Sequence, residues 1–346
     1  MRSNFYAHPL TVASLCATAL SLVSPGDLAA QYSLTTSTTI PFPTATQTSD
    51  DAQLFITSQW SLSKGHIFDG GNATAFVNDP FPNDPTPGSP GNTSLPGPVL
   101  QITYPAGSYS GDSGGAQWYT LWNTSDGSTF SSMLLSYELA FDSSFQWVRG
   151  GKLPGLRGGP NVYGCSGGNQ PNGTDCFSTR FMWRTDGEGE VYAYMLTPND
   201  ICSADNIICN SDYGVSISRG SFSFVVGQWC RVTMLVQMND PPDVANGNVV
   251  VYFNDVLALT QQDLQLRSGT DVNIGGLYFS TFFGGSDSSY ATPQTVNTYY
   301  RNFQLFGSSA SSNLTGAKVS GATQLLLPNT PSWSLLLLAS VALFFV

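Results

Sequence analysis

The sequence predicts an all-β protein: two antiparallel sheets packed as a sandwich of the jelly-roll kind. Three observations predict it. First, ten strand-like runs rich in Val, Tyr, Phe and Thr fill residues 51–307, from "PVLQITY", "QWYTLWN" and "SMLLSYELAF" through "STRFMWRT", "VYAYML" and "SFSFVV" to "WCRVTMLVQM", "NVVVYFNDV", "GGLYFSTFF" and "TYYRNFQLF". Second, Gly, Asn, Asp and Pro punctuate them, and several alternate apolar with polar residues. Third, helix patterns are scarce, and the span suits one β domain. No internal repeat and no glycine-rich phosphate loop is visible.

The chain ends read as follows. Residues 1–30 have the layout of a secretory signal: Arg2, an apolar run over 10–23, then Ala29-Ala30 before Gln31. Residues 31–50 are Ser/Thr-rich with prolines and predict a linker or O-glycosylated arm that buries little. Residues 308–320 predict a stalk, and 321–346 a removed GPI-anchor signal. Small Ser320-Gly321-Ala322, a spacer and an apolar tail follow in order, with Ser320 the attachment site. The tail, 333–346, is short of the roughly 20 residues a spanning helix needs. Membrane contact is thus expected only through the lipid. Sequons at Asn72, Asn92, Asn123, Asn172 and Asn313 agree with secretion.

Cys16 leaves with the signal. Cys165 with Cys176, and Cys202 with Cys209, are expected disulfides, because each pair is close in sequence and lies in loop-like stretches. Cys230, in "GQWCRVTMLV", reads as a buried free thiol. No Cys-x-x-Cys pair suggests zinc, and no metal site is expected.

With 12 Lys and Arg against 23 Asp and Glu, the net charge is −11. This argues against nucleic acid or an anionic membrane face as partner. Yet five cations, Arg149, Lys152, Arg157, Arg180 and Arg184, fall within residues 149–184. Two sit in "GGKLPGLRGG" (150–159), which reads as a stiff Gly-Pro loop that brings in Lys152.

"STRFMWRTDGEGEVYAYML" (178–196) reads as a hairpin. Period two gives Phe181, Trp183, Val191, Ala193 and Met195 to the core, and Ser178, Arg180, Tyr192 and Tyr194 to the other face. A three-residue loop, Gly187-Glu188-Gly189, supplies the required parity. Trp147 and Trp183 read as core.

That face carries a hydroxyl, a guanidinium and two phenols. It shows no carboxylate pair of the kind a glycosidase uses, and the lone mature histidine, His66, has no nucleophile motif around it. A phenol beside cations is expected to lose its proton more easily, and arginine grips carboxylates. These parts suit β-elimination from a uronic acid. Cations stabilise the charge that develops as the C5 proton leaves, and phenols carry the protons. No cofactor is required.

Together and in order, "GGKLPGLRGG", "STRFMWR", "VYAY" and "FFGGSDSSYATP" (282–293) resemble the polysaccharide lyases of family 14. That family includes alginate lyases and lyases of glucuronic acid polymers, and the likeness covers most of residues 50–306. The resemblance implies a jelly roll with a substrate cleft and an acidic polysaccharide as partner. It implies Lys152 and Arg180 as the cations on the carboxylate, and Ser178 as an orienting residue. Tyr192 and Tyr194 would be the proton carriers, in either order. Ser286, Asp287 and Tyr290 are implied as sugar contacts. The expected protein is a monomer. The competing readings are a non-catalytic cell-surface carbohydrate-binding sandwich, a wall protein or adhesin, and a sandwich-fold glycoside hydrolase.

Overall fold

In the computed structural model, which describes residues 22–85, 88, 97–198 and 200–319, the alternating runs close into two antiparallel sheets. The eight-stranded sheet runs β14 (Val256–Leu264), β13 (Gly247–Phe253), β11 (Trp229–Gln237), β5 (Ser132–Phe141), β16 (Val296–Ser308), β3 (Val99–Tyr104) and β2 (Thr74–Val77), with β1 (Thr36–Thr39) also paired to β16. The seven-stranded sheet runs β4 (Ala116–Leu121), β15 (Ile274–Phe283), β6 (Gly151–Gly158), β7 (Phe177–Trp183), β8 (Glu188–Tyr194), β10 (Val215–Ser223) and β9 (Ile207–Ile208). A separate ribbon pairs β12 (Val244–Ala245) with β17 (Ala317–Lys318).

The core lies between the sheets. Leu135, Tyr137, Leu139 and Phe141 of β5 meet Leu153, Phe181, Trp183, Val191, Leu277 and Phe279 from the facing sheet. Trp118 and Phe279 stack with centroids 4.0 Å apart, a geometry worth about 1 kcal/mol beyond burial. Strand β5 is buried along its whole length, because Leu134 and Ala140 lie under clusters on the sheet's other face.

All ten expected runs contain strand. The run "NVVVYFNDV" is cut by a turn at Asn254 and Asp255, both at positive φ, which leads into β14. A larger correction concerns residues 150–159. They form not a loop but strand β6, held between β15 and β7. Pro154 sits where the register slips between Leu153↔Phe181 and Gly155↔Arg180, so its missing N–H costs no ladder bond. At Gly155 a Cβ would lie 2.0 Å from the Thr179 carbonyl oxygen. Only glycine lets β6 and β7 approach this closely.

The N-terminal arm is also corrected. Thr36–Thr39 pair with β16, and Leu34 and Ile40 are buried. Ser49–Gln59 form helix α2, which buries Ala52 and Ile56 on one face, so the expected boundary at 50/51 falls inside it. Upstream, Pro25–Gln31 form α1, capped by the Ser24 hydroxyl, with Leu28 and Ala29 packed beside Leu134 and Leu235. A signal drawn to residue 30 includes this packed helix. The expected stalk is tied down too: Ser312 N–H donates to Met238 O, and β17 pairs with β12. Ser/Thr-rich composition concealed this because the few apolar residues present are the ones buried.

Both expected disulfides form, and Cys230 is buried and free. Asn72, Asn123, Asn172 and Asn313 are exposed; Asn92 and Ser320 lie outside the described residues. Trp183 is in the core, with Trp147 packed against it.

Candidate active site

Period two places the site. With Leu153, Phe181, Val191 and Ala193 committed to the core, their neighbours Lys152 (β6), Arg180 and Met182 (β7), and Tyr192 and Tyr194 (β8) face outward from the seven-stranded sheet. The register brings them abreast: Lys152↔Met182, Arg180↔Tyr192 and Ser178↔Tyr194. The loop between β7 and β8 has the three residues parity demands. They are Thr185-Asp186-Gly187, two positions before the expected ones, closed by Arg184 N–H on Glu188 O. Around this face runs a cleft of about 770 Å³, walled by Asp69, Asp112, Ser166, Tyr213, Ser286 and Tyr290 among others.

The two central cations have unusual surroundings. Arg180 is 1% exposed and donates to Ser280 Oγ at 3.0 Å. Ser280 in turn donates to Gln117 Oε1 at 2.9 Å, which also accepts from Tyr278. The Gln117 amide donates to Asp69 at 3.1 Å. The Arg180 guanidinium lies 4.7 Å from the Tyr278 ring centroid, and its Nε has no hydrogen-bond partner. Lys152 Nζ lies 3.1 Å from Met182 Sδ and 4.1 Å from the Tyr192 ring centroid. Among the described residues no carboxylate oxygen lies within 4.0 Å of either cation. Burial, then Arg180 and Arg184, hold the Lys152 pKa well below the ordinary lysine value; Glu190 opposes them.

The tyrosines face these cations. Tyr192 Oη accepts from Gly214 N–H at 2.9 Å, and Tyr194 Oη from Gly168 N–H at 3.0 Å. Both phenol protons are thereby left to point elsewhere. Any side chain at 214 would strike the Tyr192 ring, 2.9 Å from a Cβ there. The expectation that cations ease deprotonation fails at Tyr192. Burial, reinforced by Tyr194, raises its pKa, outweighing the Gly214 N–H and Arg180. Tyr192 is thus a phenol that keeps its proton.

Of the other expected residues, Ser286, Asp287 and Tyr290 line the cleft. Ser178 does not: it is fully buried, and its hydroxyl donates to Cys165 O at 2.6 Å, behind the disulfide. Arg157 is likewise buried, bonded to the Asn161 and Gly164 carbonyls. Sequence reasoning missed Gln117, Tyr278 and Ser280, although Tyr278, Ser280 and Phe282 alternate with core Leu277, Phe279 and Phe283. It also gave Glu190 no role. Glu190 is fully buried, with Arg184 at 2.5 Å and Arg219 at 2.8 Å.

Several known proteins share this architecture. The marine PL-14 alginate lyase from Aplysia kurodai superposes with a TM-score of 0.63 at 30% identity, over 78% of this chain and all of that one. The alginate lyase of a Chlorella virus gives 0.52 at 21% identity, over 69% of this chain and 95% of its own, a likeness of fold. In sequence, the chain is 27% identical over 224 residues to the exolysin of Paramecium bursaria Chlorella virus 1, covering 58% of this chain and only 33% of the exolysin. Residues 92–303, which carry the cleft strands, the unpaired cations and both tyrosines, match the profile of polysaccharide lyase 14, and the chain accordingly belongs to that family of polysaccharide lyases.

Proposed function

We propose that the cleft cleaves a uronic-acid polysaccharide of the alginate or glucuronan type by β-elimination. The observation that carries the reading is Arg180, a buried guanidinium with no carboxylate partner among the described residues. A buried charge without a counter-charge costs several kcal/mol. The C6 carboxylate of a uronate would supply that counter-charge. Arginine stays charged throughout, so its hold strengthens as negative charge spreads onto the carboxylate in the transition state.

The proton steps are assigned to two groups that line the cleft side by side, Lys152 Nζ lying 4.1 Å from the Tyr192 ring centroid, and rest also on the direction in which each pKa is displaced. Lys152, with its proton affinity lowered, is suited to take the C5 proton as a free amine. This moves it from the carboxylate-binding role that the family resemblance implied. Tyr192, with its proton retained, is suited to protonate O4 as the C4–O4 bond breaks. The products are a sugar with a C4–C5 double bond and a new chain end. The Lys152 proton then leaves to solvent and Tyr192 is reprotonated. Tyr194 shares the wall and steadies the substrate beside Arg180, 6.0 Å from its ring. The name of the Aplysia neighbour as an alginate lyase supports a uronate substrate.

Two disulfides and four exposed sequons support a secreted protein. Lipid attachment at Ser320 is testable by release from membranes with a phosphatidylinositol-specific phospholipase. The activity test is the ultraviolet absorbance of the unsaturated uronate with polymannuronate, polyguluronate, glucuronan and neutral glucans. A rise with at least one uronate is expected. Reducing ends from a neutral glucan without absorbance would overturn the proposal.

A further inference from the structure

The cleft has a second cationic region beside the reacting centre. At the corner where β7, β8 and β10 meet, a side pocket of about 250 Å³ is lined by Arg149, Arg184, Arg219, Glu188 and Tyr290, among others. Its organiser is Glu190, which is fully buried. Arg184 Nη2 binds one of its oxygens at 2.5 Å, and Arg219 Nε the other at 2.8 Å. Ser216 Oγ also donates to that second oxygen, at 2.5 Å, and takes Arg219 Nη2 at 3.3 Å. One carboxylate thus fixes two guanidinium groups and neutralises only one of them. Arg184 keeps a buried Nε without a partner, and the Arg219 side chain is 36% exposed. Arg149 adds a third cation, steadied by Ser289 Oγ at 2.7 Å and stacked over Tyr290. Exposed Glu188 is the acid that lines the same pocket.

We propose that Arg184 and Arg219, with Arg149 beside them, form a second carboxylate subsite that holds a neighbouring uronate of the same polymer. The proposal rests on the reading that the cleft takes a polyuronate. The corner adjoins the reacting centre, because the Arg184 guanidinium lies 5.9 Å from the Tyr192 ring that Lys152 also caps. Planar guanidinium forks recognise carboxylates bidentately, and both retain N–H groups that Glu190 does not occupy. The other side of the cleft, near β4, presents Asp69 and Asp112. A polyanion therefore gains on the arginine side and loses on the aspartate side, which orients the chain. Glu190 is a positioning residue, acting through the two arginines.

The test is a length series of oligouronides from the accepted polymer, disaccharide upward, with wild type, Arg219→Ala and Glu190→Gln. In wild type KM falls as oligomers become long enough to reach the corner. In Arg219→Ala this gain is reduced about tenfold, the worth of one exposed charge-assisted contact, and the loss appears in KM rather than kcat. Glu190→Gln shows the same flattening. An equal loss at every length, or undiminished gain, overturns the subsite. Calorimetric binding of the same oligomers to Tyr192→Phe separates the two readings. Length-dependent binding that needs Arg219, with no turnover in wild type, sinks the elimination and keeps the subsite. Failure to bind any oligouronide overturns both.

Discussion

The two sheets each bury arginines, and they treat them in opposite ways. On the outer side of the eight-stranded sheet, Arg231 and Arg301 flank Glu138 on adjacent strands. Arg231 binds Glu138 at 3.2 Å and Asp255 at 2.6 Å; Arg301 binds Glu138 at 2.6 Å and Asp79 at 2.5 Å. Trp229 closes over Arg301, with its ring 3.9 Å away. Both guanidinium groups find their counter-charges within the protein. On the seven-stranded sheet Arg180 is buried too, yet among the described residues it has a serine, aromatic rings and no acid. Between these two poles stands the corner pair, Arg184 and Arg219, sharing one Glu190. Closed ion networks hold the fold; buried Arg157 is instead held by backbone carbonyls, and Arg180, open to the cleft, is the cation proposed to be held for a ligand. The net charge of −11 makes the Arg180 case informative, since acids were available to pair it.

Substitution sharpens this contrast. Arg180→Met is expected to cut kcat/KM by about 10³, as for loss of one transition-state donor. Because the guanidinium has no internal counter-charge, urea unfolding should show stability kept or raised. Glu138→Gln should do the reverse: it removes the carboxylate that both arginines share, leaving Asp255 on Arg231 and Asp79 on Arg301, and costs about 1.5–3 kcal/mol, with turnover retained by the folded fraction. If both variants lose mainly stability, the two regions do not differ.

Lys152→Ala and Tyr192→Phe should each lower kcat by about 10²–10⁴. The sign of the pH effect is fixed by direction. The Lys152 pKa is depressed in the fold, so activity falls as pH drops through that value and protonates the amine. In the window between it and about 10.4, the unfolded lysine holds a proton that the folded one lacks, so stability rises with pH there. Below the folded pKa this contribution is flat. Lys152→Met should abolish the rise; an unaltered slope in chemical denaturation across that window would contradict the assignment.

Replacing Cys165 and Cys176 by serine opens an 11-residue separation, at a cost of about 3 kcal/mol. It also frees the loop whose Gly168 N–H holds Tyr194, so kcat should fall alongside thermal stability. The smallest effect belongs to Ser178→Ala. Its hydroxyl is spent on Cys165 O, so about 1 kcal/mol of stability is expected to go, with far less loss of turnover than at Lys152. A kcat loss equal to that of Lys152→Ala would return Ser178 to the reacting group.

Much of this was legible. Period two in "STRFMWR" and "VYAY" separated the core face from the outer face, because Phe181, Trp183, Val191 and Ala193 leave no other burial scheme, but it did not show that Ser178 lies covered by the Cys165 loop. Strand β6 was not legible: five glycines and a proline in ten residues hide a strand whose glycines exist to admit β7 and its large side chains. Gln117 and Ser280 meet across strands distant in sequence, and Glu190 takes Arg219 from β10 besides Arg184 of its own hairpin, contacts that spacing does not encode. Which tyrosine keeps its proton was left open, because neighbouring cations can be read from sequence, whereas desolvation depends on the depth of burial.

The most direct measurement of the open cation is the calorimetric affinity of Tyr192→Phe for a uronate oligomer and for the same oligomer with its carboxyl groups reduced to alcohols. The account predicts that the acid form binds at least about tenfold more tightly and that Arg180→Met in the same background removes the difference. Equal affinity for the two oligomers would contradict it, and Arg180 would then be a buried charge without a ligand.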